Sequence, residues 1–335
     1  MPQPLVTVCV PTYDDAPFLA ETLTSILAQD HDDFEVLISD DASTDDTAAV
    51  VATFDDPRVR YVRHEHNVGQ FENMNRCIDR ATGRFVAIYH SDDVYERSII
   101  REQLALFERH PDVGAVFTLD SWIDQEGNRL GATELPPGLP DSERLTLDDL
   151  LPVLLRHRNR VLRAPSFLAR ASVLAEVGRF DPERFSAEAD FDYYLRLLER
   201  HPVGLIRAPL FRYRVSASQA ASSYHRLRTT EQHCFAVLDR YADAADAATR
   251  VEYDFQRADD RITRAANHVI LGDVESAGAL ARLRFPWATL RGGLTRRKVR
   301  TVLLRAAIRL STAVGSTRPL GWILARTEYR GRRWA

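Results

Sequence analysis

The sequence predicts an α/β domain with a mostly parallel sheet and helices on both faces, followed by a C-terminal helical extension. Short apolar runs at residues 6–10, 34–39 and 85–89 each end in a cluster of polar side chains. Helical patterns separate these runs, and strands that alternate with helices form parallel sheets. Ligands bind beyond the carboxyl ends of such strands, so we expect the three polar clusters to gather at one edge of the sheet.

Local patterns predict the first two strands and the helices that follow them. Residues 6–10, Val-Thr-Val-Cys-Val, indicate a buried strand that runs into the polar segment 11–15. The next helix is predicted from apolar residues at offsets of three and four, which are Leu19, Leu23, Ile26 and Leu27. The second strand, residues 34–39, stops at an acidic segment in which Ser43 and Asp46 have the spacing of a capping box. That box predicts a helix through Val50.

The third strand carries the most informative polar cluster. Residues 85–89 end in the sequence His-Ser-Asp-Asp at 90–93. Carboxylates at the end of a buried strand are costly unless they meet a cation or water. Hard divalent cations prefer oxygen ligands, so Asp92 together with Asp93 is the predicted metal site.

Composition indicates an ordinary globular protein with an uneven distribution of charge. Of the 335 residues, 45% are hydrophobic and 27% are charged, and the net charge is −4. Residues 281–335 hold 13 arginines and one lysine against Glu328, a net charge of +13, which leaves −17 on residues 1–280. No apolar run reaches the roughly 20 residues that cross a bilayer, and the N-terminus has no signal-peptide pattern. We therefore predict a cytoplasmic protein, peripheral on the inner face of the membrane if its basic end binds lipid.

Two loop-rich segments predict the domain organisation. The glycine- and proline-rich segment 124–143 divides residues 1–220 into a nucleotide half, about 1–120, and an acceptor half, about 121–220. A second boundary is predicted near residues 217–223. Beyond it, residues 221–335 have a helical pattern, with breaks near Gly272, Pro286, Gly292–Gly293 and Gly315.

A series of short motifs follows in order along residues 5–215. They are Val-Pro-Thr-Tyr-Asp at 10–14, Ile-Ser-Asp-Asp-Ala-Ser-Thr-Asp at 38–45, Asn-Val-Gly at 67–69, Asn-Met-Asn at 73–75, Ala-Thr-Gly-Arg-Phe at 81–85, His-Ser-Asp-Asp at 90–93, Gly-Arg-Phe-Asp at 178–181 and Ala-Asp-Phe-Asp-Tyr-Tyr-Leu-Arg at 189–196. With these motifs in this order, the sequence resembles family 2 inverting glycosyltransferases of the GT-A fold.

The resemblance implies a nucleotide site at Pro11, Thr12, Tyr13, Asp41 and Asp92. In the family, the residues at the Tyr13 and Asp41 positions hold the base, by stacking and by a carboxylate that accepts the pyrimidine N3–H. Uracil and thymine carry that hydrogen and cytosine does not, so a UDP- or dTDP-sugar donor is expected. The alternative is that Tyr13 packs at a strand end and Asp41 solvates a turn.

The resemblance also implies a divalent cation. Asp92 matches the last acid of the family's DXD element, which binds Mg²⁺ or Mn²⁺ together with the donor's phosphates. His90 stands where the first acid of that element is expected, and Asp93 adjoins it. The alternative for Asp92 is an acidic N-cap of a helix that starts near Glu96.

Asp190 matches the family's general base. Inversion requires an acceptor hydroxyl to attack the anomeric carbon opposite the departing nucleotide, and a base must take its proton. The alternative is that Asp190 caps the helix whose apolar face holds Phe191 and Tyr194. Glu188 is a less suitable substitute base.

Other polar residues have weaker assignments. Asn75 is expected either to cap structure or to contact substrate, and Ser166 belongs to a predicted acceptor-side wall at residues 163–166. Ser216 stands where the family often has a histidine that reaches the metal, and His225 is the nearest alternative.

The basic C-terminal region contains a predicted amphipathic helix. Its apolar residues share one face and its basic residues lie around that face; the apolar ones are Val299, Val302, Leu303, Ala306, Leu310 and Val314. This composition is typical of a helix in an anionic membrane surface. A basic helix packed on the acidic catalytic domain fits equally well, whereas nucleic acid is a poorer partner because no reading module accompanies the charge.

The predicted function is transfer of a sugar from a UDP- or dTDP-sugar to a hydroxyl acceptor, a glycan, lipid-linked or small molecule, in cell-surface polysaccharide or glycoconjugate biosynthesis. One rival is a sugar-1-phosphate nucleotidyltransferase, which needs a glycine-rich first loop with a basic residue. The other is a non-catalytic nucleotide-sugar-binding module at the membrane.

Overall fold

The computed structural model describes residues 4–215, 227–291, 293–315 and 317–331, with side chains described through residue 325. Contacts divide the chain into two units, Met1–Ser216 and Ala217–Ala335. The first unit holds a ten-stranded sheet and the second is helical.

Four parallel strands form the N-terminal half of the sheet. They are β1 (Val6–Thr12), β2 (Phe34–Asp40), β3 (Val59–Arg63) and β4 (Phe85–Ile88), in the spatial order β3-β2-β1-β4. Helices α1 (Ala16–Leu27), α2 (Thr47–Val51) and α3 (Gln70–Arg80) connect them. Val6 lies opposite both Phe34 and Phe85, so these three strands start in line and their carboxyl ends share one edge. The predicted alternation is confirmed.

The second half of the sheet is mixed. Its strands are β5 (Val94–Tyr95), β6 (Ala115–Ile123), β7 (Arg129–Ala132), β8 (Arg144–Leu145), β9 (Phe167–Arg170) and β10 (Val203–Arg214). Its helices are α4 (Ile99–Arg109), α5 (Leu147–His157), α6 (Ala171–Val177), α7 (Pro182–Phe185) and α8 (Ala189–Leu198). Strand β9 lies between β4 and β6 and is antiparallel to both.

Apolar side chains from both halves form one core. The predicted helix residues Leu19, Leu23 and Ile26 are fully buried, as are Val8 and Val36 on the strands that α1 covers. Because α1 presents one apolar stripe to the sheet, its polar face is left for water.

One local prediction about capping is wrong. Ser43 and Asp46 do not form a capping box, because the Ser43 hydroxyl accepts the backbone N–H of Asp14 at 3.0 Å. Helix α2 begins at Thr47, and the Thr47 N–H donates to the Asp45 carboxylate instead, at 3.0 Å. Tertiary contact between the first two loops therefore outcompetes the local motif.

The second unit consists of helices, as predicted. They are α9 (Cys234–Ala242), α10 (Ala247–Leu271), α11 (Val274–Arg282), α12 (Arg296–Ala313) and α13 (Arg318–Gly331). Gly272 ends α10 in the left-handed conformation with φ of 82°, which favours glycine because it has no Cβ. Among the helices of the described ranges, none is long and apolar enough to cross a bilayer.

The structure shows which face of α12 packs inward, a point that the sequence pattern left open. Its inward face holds two cations, Lys298 and Arg305, together with Thr301 and Ile308. The apolar residues that the sequence pattern groups together lie largely on the outer face, where Leu303 is 64% exposed. Lys298 is held by Glu252 of α10 at 2.7 Å, whereas the Arg305 guanidinium donates to the carbonyl of Leu283 at 3.2 Å and lies over the Phe285 ring.

Candidate active site

The loops after β1, β2 and β4 meet at one edge of the sheet, as the sequence predicts. The Asp14 carboxylate accepts the backbone N–H of Thr44 at 2.6 Å, which joins the first loop to the second. The Ser91 hydroxyl donates to the Asp15 carboxylate, which joins the first loop to the loop after β4. The buried Thr22 hydroxyl on α1 donates to the carbonyl of Ser91 at 2.9 Å and fixes that loop from below.

Tyr13 and Asp41 occupy the nucleotide side of this edge. Tyr13 follows β1 and is 46% exposed, so its ring is open to a stacking partner. The charge of Asp14, and further away that of Asp41, raises the pKa of Tyr13. The buried Asp41 carboxylate accepts the N–H groups of Val68 and Gly69 at 2.8 and 2.9 Å, one on each oxygen. Each oxygen keeps a second lone pair for another donor.

Pro11 and Thr12 are the last two residues of the first strand and directly precede Tyr13. Both belong to β1, and the Thr12 hydroxyl is buried without a hydrogen-bond partner. Such a hydroxyl is costly to leave unsatisfied in an otherwise well-bonded region. Their contact with a nucleotide stays a prediction.

His90, Asp92 and Asp93 form a cluster that suits a cation. One ligand atom from each lies within 4.8 Å of the others. His90 Nε2 and Asp93 Oδ2 are buried without partners, so two of the three side chains have an orphaned polar atom. Burial lowers the pKa of His90 and therefore favours the neutral imidazole, the form that binds metals. The residues present fit a divalent cation.

The alternative for Asp92, an N-cap of the next helix, does not hold. Helix α4 begins at Ile99 with Ser98 as its N-cap, and strand β5 lies between Asp92 and that helix. Asp92 therefore occupies the loop itself.

Arg214 organises this loop, and sequence reasoning missed it. Its guanidinium donates to the carbonyl of Asp92 at 2.8 Å, and its backbone N–H donates to Asp93 Oδ1 at 2.8 Å. The side chain is 1% exposed and also pairs with Glu21 of α1. The sequence around it, Phe-Arg-Tyr-Arg-Val at 211–215, does not reveal a contact across more than 100 residues.

Asp15 is a second missed residue of the site. Burial, together with the nearby charge of Asp92, raises the pKa of Asp15 to about 6, although the hydrogen bond from Ser91 lowers it. The carboxyl group therefore lies close enough to the cluster to feel its charge. Sequence analysis assigned Asp15 no role in the site.

Asp190 lies in the first turn of α8 and is not its N-cap. The N-cap is Glu188, which makes no capping bond through its side chain. Burial raises the pKa of Asp190 to about 6, while the Phe191 N–H and the charge of Arg163 lower it. Burial and then the charge of Asp190 raise the pKa of Glu188 to about 8. Near neutral pH, Asp190 is the ionised member of this pair and Glu188 is the protonated one.

The charge of Arg163 acts on both the cation cluster and Asp190. Its charge lowers the pKa values of His90, Asp93 and Asp190. The guanidinium donates to the buried Asp120 carboxylate at 2.7 Å and lies 5.3 Å from the centre of the Tyr213 ring. One fixed cation therefore stands beside both halves of the candidate site.

Asn75 and Ser166 bind backbone groups. The Asn75 amide accepts the Phe180 N–H at 2.9 Å and donates to the Phe180 carbonyl at 3.1 Å, which ties α3 to the segment before α7. The buried Ser166 hydroxyl accepts the Thr118 N–H at 3.0 Å. Both hold the site's framework, and direct substrate contact by either stays a prediction. Ser216 and His225 lie outside the described residues.

Comparison with known proteins identifies a family for the sheet-bearing part. The model described as Glycosyl transferase family 2 matches residues 7–167. The putative teichuronic acid biosynthesis glycosyltransferase TuaG of Bacillus subtilis is 34% identical over 151 residues, 44% of this chain and 58% of TuaG. This chain thus spans less than two thirds of that relative's length.

Solved structures show the same fold. The structure of S. aureus TarS 1-349 in complex with UDP-GlcNAc aligns over 93% of this chain and 92% of the TarS chain. The TM-score is 0.55 and the sequence identity is 17%. The structure of the mannosyltransferase PcManGT from Pyrobaculum calidifontis in complex with GDP-Man and Mn²⁺ aligns over 99% of this chain and 88% of the PcManGT chain. The TM-score is 0.50 and the sequence identity is 17%. These likenesses confirm the predicted GT-A architecture.

Proposed function

Residues 7–167 belong to glycosyl transferase family 2, and on that premise we propose that this chain is an inverting glycosyltransferase that uses a nucleotide-sugar donor and a hydroxyl acceptor. The observation that carries the proposal is that the charge of Arg163 acts both on the predicted cation site and on a carboxylate that is ionised near neutral pH. Sugar transfer needs charge compensation on one side of the anomeric carbon and a base on the other.

The base side is assigned to Asp190. The acceptor oxygen forms a bond to the anomeric carbon while the bond from that carbon to the diphosphate breaks, and the diphosphate leaves with the electron pair. The hydroxyl proton passes to Asp190. With a pKa of about 6, Asp190 is mostly ionised at pH 7 and still basic enough to accept a proton.

The leaving-group side is assigned to the cluster at the end of β4. His90, Asp92 and Asp93 would hold Mg²⁺ or Mn²⁺, and such an ion would offset the charge that the departing diphosphate gains. Carboxylates suit both ions, whereas an imidazole ligand favours Mn²⁺ over Mg²⁺. The fixed charge of Arg163 adds to this compensation.

The donor is assigned to the UDP or dTDP class. Asp41 keeps a lone pair on each oxygen for the N3–H of uracil or thymine, and Tyr13 offers an open ring for stacking. A first loop of Pro-Thr-Tyr-Asp-Asp without any basic residue disfavours the nucleotidyltransferase alternative, which must bind a triphosphate. Given the name of TuaG, we place the acceptor in cell-surface polysaccharide or glycoconjugate biosynthesis.

Donor binding can be tested by thermal shift with UDP, dTDP, CDP and GDP, each with and without Mn²⁺. We expect UDP or dTDP to raise the melting temperature only when Mn²⁺ is present, because ligand that binds the folded state stabilises it. Asp92→Asn should abolish the metal-dependent part of that rise, whereas Asp55→Asn, at an exposed acid of the same unit, should preserve it. A metal-dependent rise that persists in Asp92→Asn contradicts the cation assignment, and a response to CDP alone contradicts the base assignment.

A further inference from the structure

The outer face of α12 carries a row of exposed apolar side chains, here called the apolar ridge. Leu294, Val299, Leu303, Leu310 and Val314 are 69, 40, 64, 70 and 70% exposed. Residues 299, 303, 310 and 314 recur at offsets of four and seven, so they lie along one side of the helix. Exposed single leucines are ordinary, but a continuous row of them marks an interaction surface.

The inward face of α12 is occupied, so the helix cannot turn to hide this ridge. Lys298 is 3% exposed and donates to Glu252 at 2.7 Å and to the carbonyl of Thr289 at 2.8 Å. Arg297 pairs with Asp259 at 2.7 Å. Rotation of the helix would break these contacts and leave the acids of α10 without partners. The contacts on the inward face of α12 therefore keep the ridge exposed.

Positive charge lies beside the ridge. Arg296 and Arg300 line an open groove of about 660 Å³ together with Val299, Leu303 and Leu324. The surrounding sequence, residues 281–335, has a net charge of +13. An apolar row with arginines along its side fits a partner that offers both hydrocarbon and negative charge.

We propose that the apolar ridge, with Arg296 and Arg300, docks on a bilayer surface that contains anionic phospholipid. Leucine and valine side chains enter the boundary between head groups and acyl chains, and the two arginines stay at the level of the phosphates. A second copy of this chain is a poorer partner, because residues 281–335 of both copies carry a net charge of +13 and would repel each other. Since none of the described helices can cross a bilayer, the contact lies at its surface.

This inference does not rest on the proposed enzyme activity, because its readout is binding to vesicles. The full-length protein is mixed with vesicles of phosphatidylcholine, with and without phosphatidylglycerol, and separated by flotation at low and high salt. We expect it to float with the anionic vesicles at low salt and to be released at high salt, because the charge attraction is screened.

Three full-length variants separate the ridge from nonspecific effects. Leu303→Ser with Leu310→Ser, and separately Arg296→Glu with Arg300→Glu, should each lower the partition coefficient by at least about tenfold. Leu271→Ser, at a leucine that is 58% exposed at the end of α10, should bind like the unchanged protein. Circular dichroism verifies that each variant is folded.

Several results overturn the proposal. Negligible flotation of the unchanged protein at low salt excludes a lipid surface, as does equal binding to vesicles without phosphatidylglycerol. Self-association that disappears in the Leu303→Ser and Leu310→Ser variant, without any vesicle binding, assigns the ridge to a second copy of the chain. Retention of binding in both ridge variants places the lipid contact elsewhere.

Discussion

Replacement of Asp190 by asparagine tests the proposed chemistry most directly, because the amide keeps the shape of the carboxylate and cannot accept the proton. Transfer to acceptor should fall by roughly 10²- to 10⁴-fold, the usual contribution of a general base. Donor affinity should change little, since the assigned donor contacts lie on other loops. The loss should therefore appear in kcat and kcat/KM rather than in donor binding.

The pKa of Asp190 sets the expected pH profile. At a pKa of about 6, roughly 90% of the carboxyl is ionised at pH 7 and roughly 10% at pH 5. Because the base must be ionised, kcat/KM of the unchanged enzyme should fall about tenfold between these values. Asp190→Asn has no such group, so its residual rate should lack this acid limb.

Release of nucleoside diphosphate, coupled to acceptor glycosylation, measures these rates between pH 5 and 9. Glu188→Gln is the matched control, because Glu188 has a pKa of about 8 and is largely protonated at pH 7. That variant should keep the acid limb and most of the rate. An acid limb that survives in Asp190→Asn but disappears in Glu188→Gln refutes the assignment and transfers the role to Glu188.

Two further substitutions test Arg163, which the sequence analysis placed only in a predicted acceptor-side wall, and Asp15, to which it assigned no role in the site. Arg163→Gln removes a charge that lowers the pKa of Asp190, so the acid limb of kcat/KM should move to higher pH; a limb that stays in place contradicts this coupling. Asp15→Asn should stabilise the metal-free protein more at pH 8 than at pH 4: the raised folded-state pKa of about 6 means that ionisation of Asp15 disfavours folding above that pH. An equal effect of Asp15→Asn on urea unfolding at both pH values argues against a buried, strained carboxylate at this position.

The parts of the site that lie on consecutive strand ends follow from the sequence. Tyr13, Asp41 and Asp92 each come directly after a short apolar run, and the alternation with helices places these runs side by side. The parallel order then brings their ends to one edge, whatever the details of the loops. Hydrophobic periodicity and sheet topology are enough to predict where such residues lie.

The contacts of Arg163 and Arg214 could not be predicted in this way. Their roles depend on partners that are far away in sequence: Asp120 for Arg163, and the loop at Asp92 for Arg214. A buried arginine can bind any carboxylate or carbonyl within reach. Neither the spacing of residues along the chain nor their secondary-structure propensity specifies which of these groups it contacts. The capping motif at Ser43 was wrong for the same reason, because the N–H of Asp14 binds its hydroxyl across two loops.

The orientation of α12 could not be predicted from the sequence pattern either, and the free energies of the competing contacts explain it. Periodicity identifies an apolar row but does not say whether that row faces the core. Full burial of a leucine contributes about 1.5–3 kcal/mol, and a hydrogen bond to a charged group contributes about 1.5–3 kcal/mol. Lys298 and Arg297 together make several such bonds to α10 and the segment before α12. The polar contacts therefore match or exceed what burial of Leu303 and Leu310 would provide within the chain, and the apolar row remains available for a partner outside it.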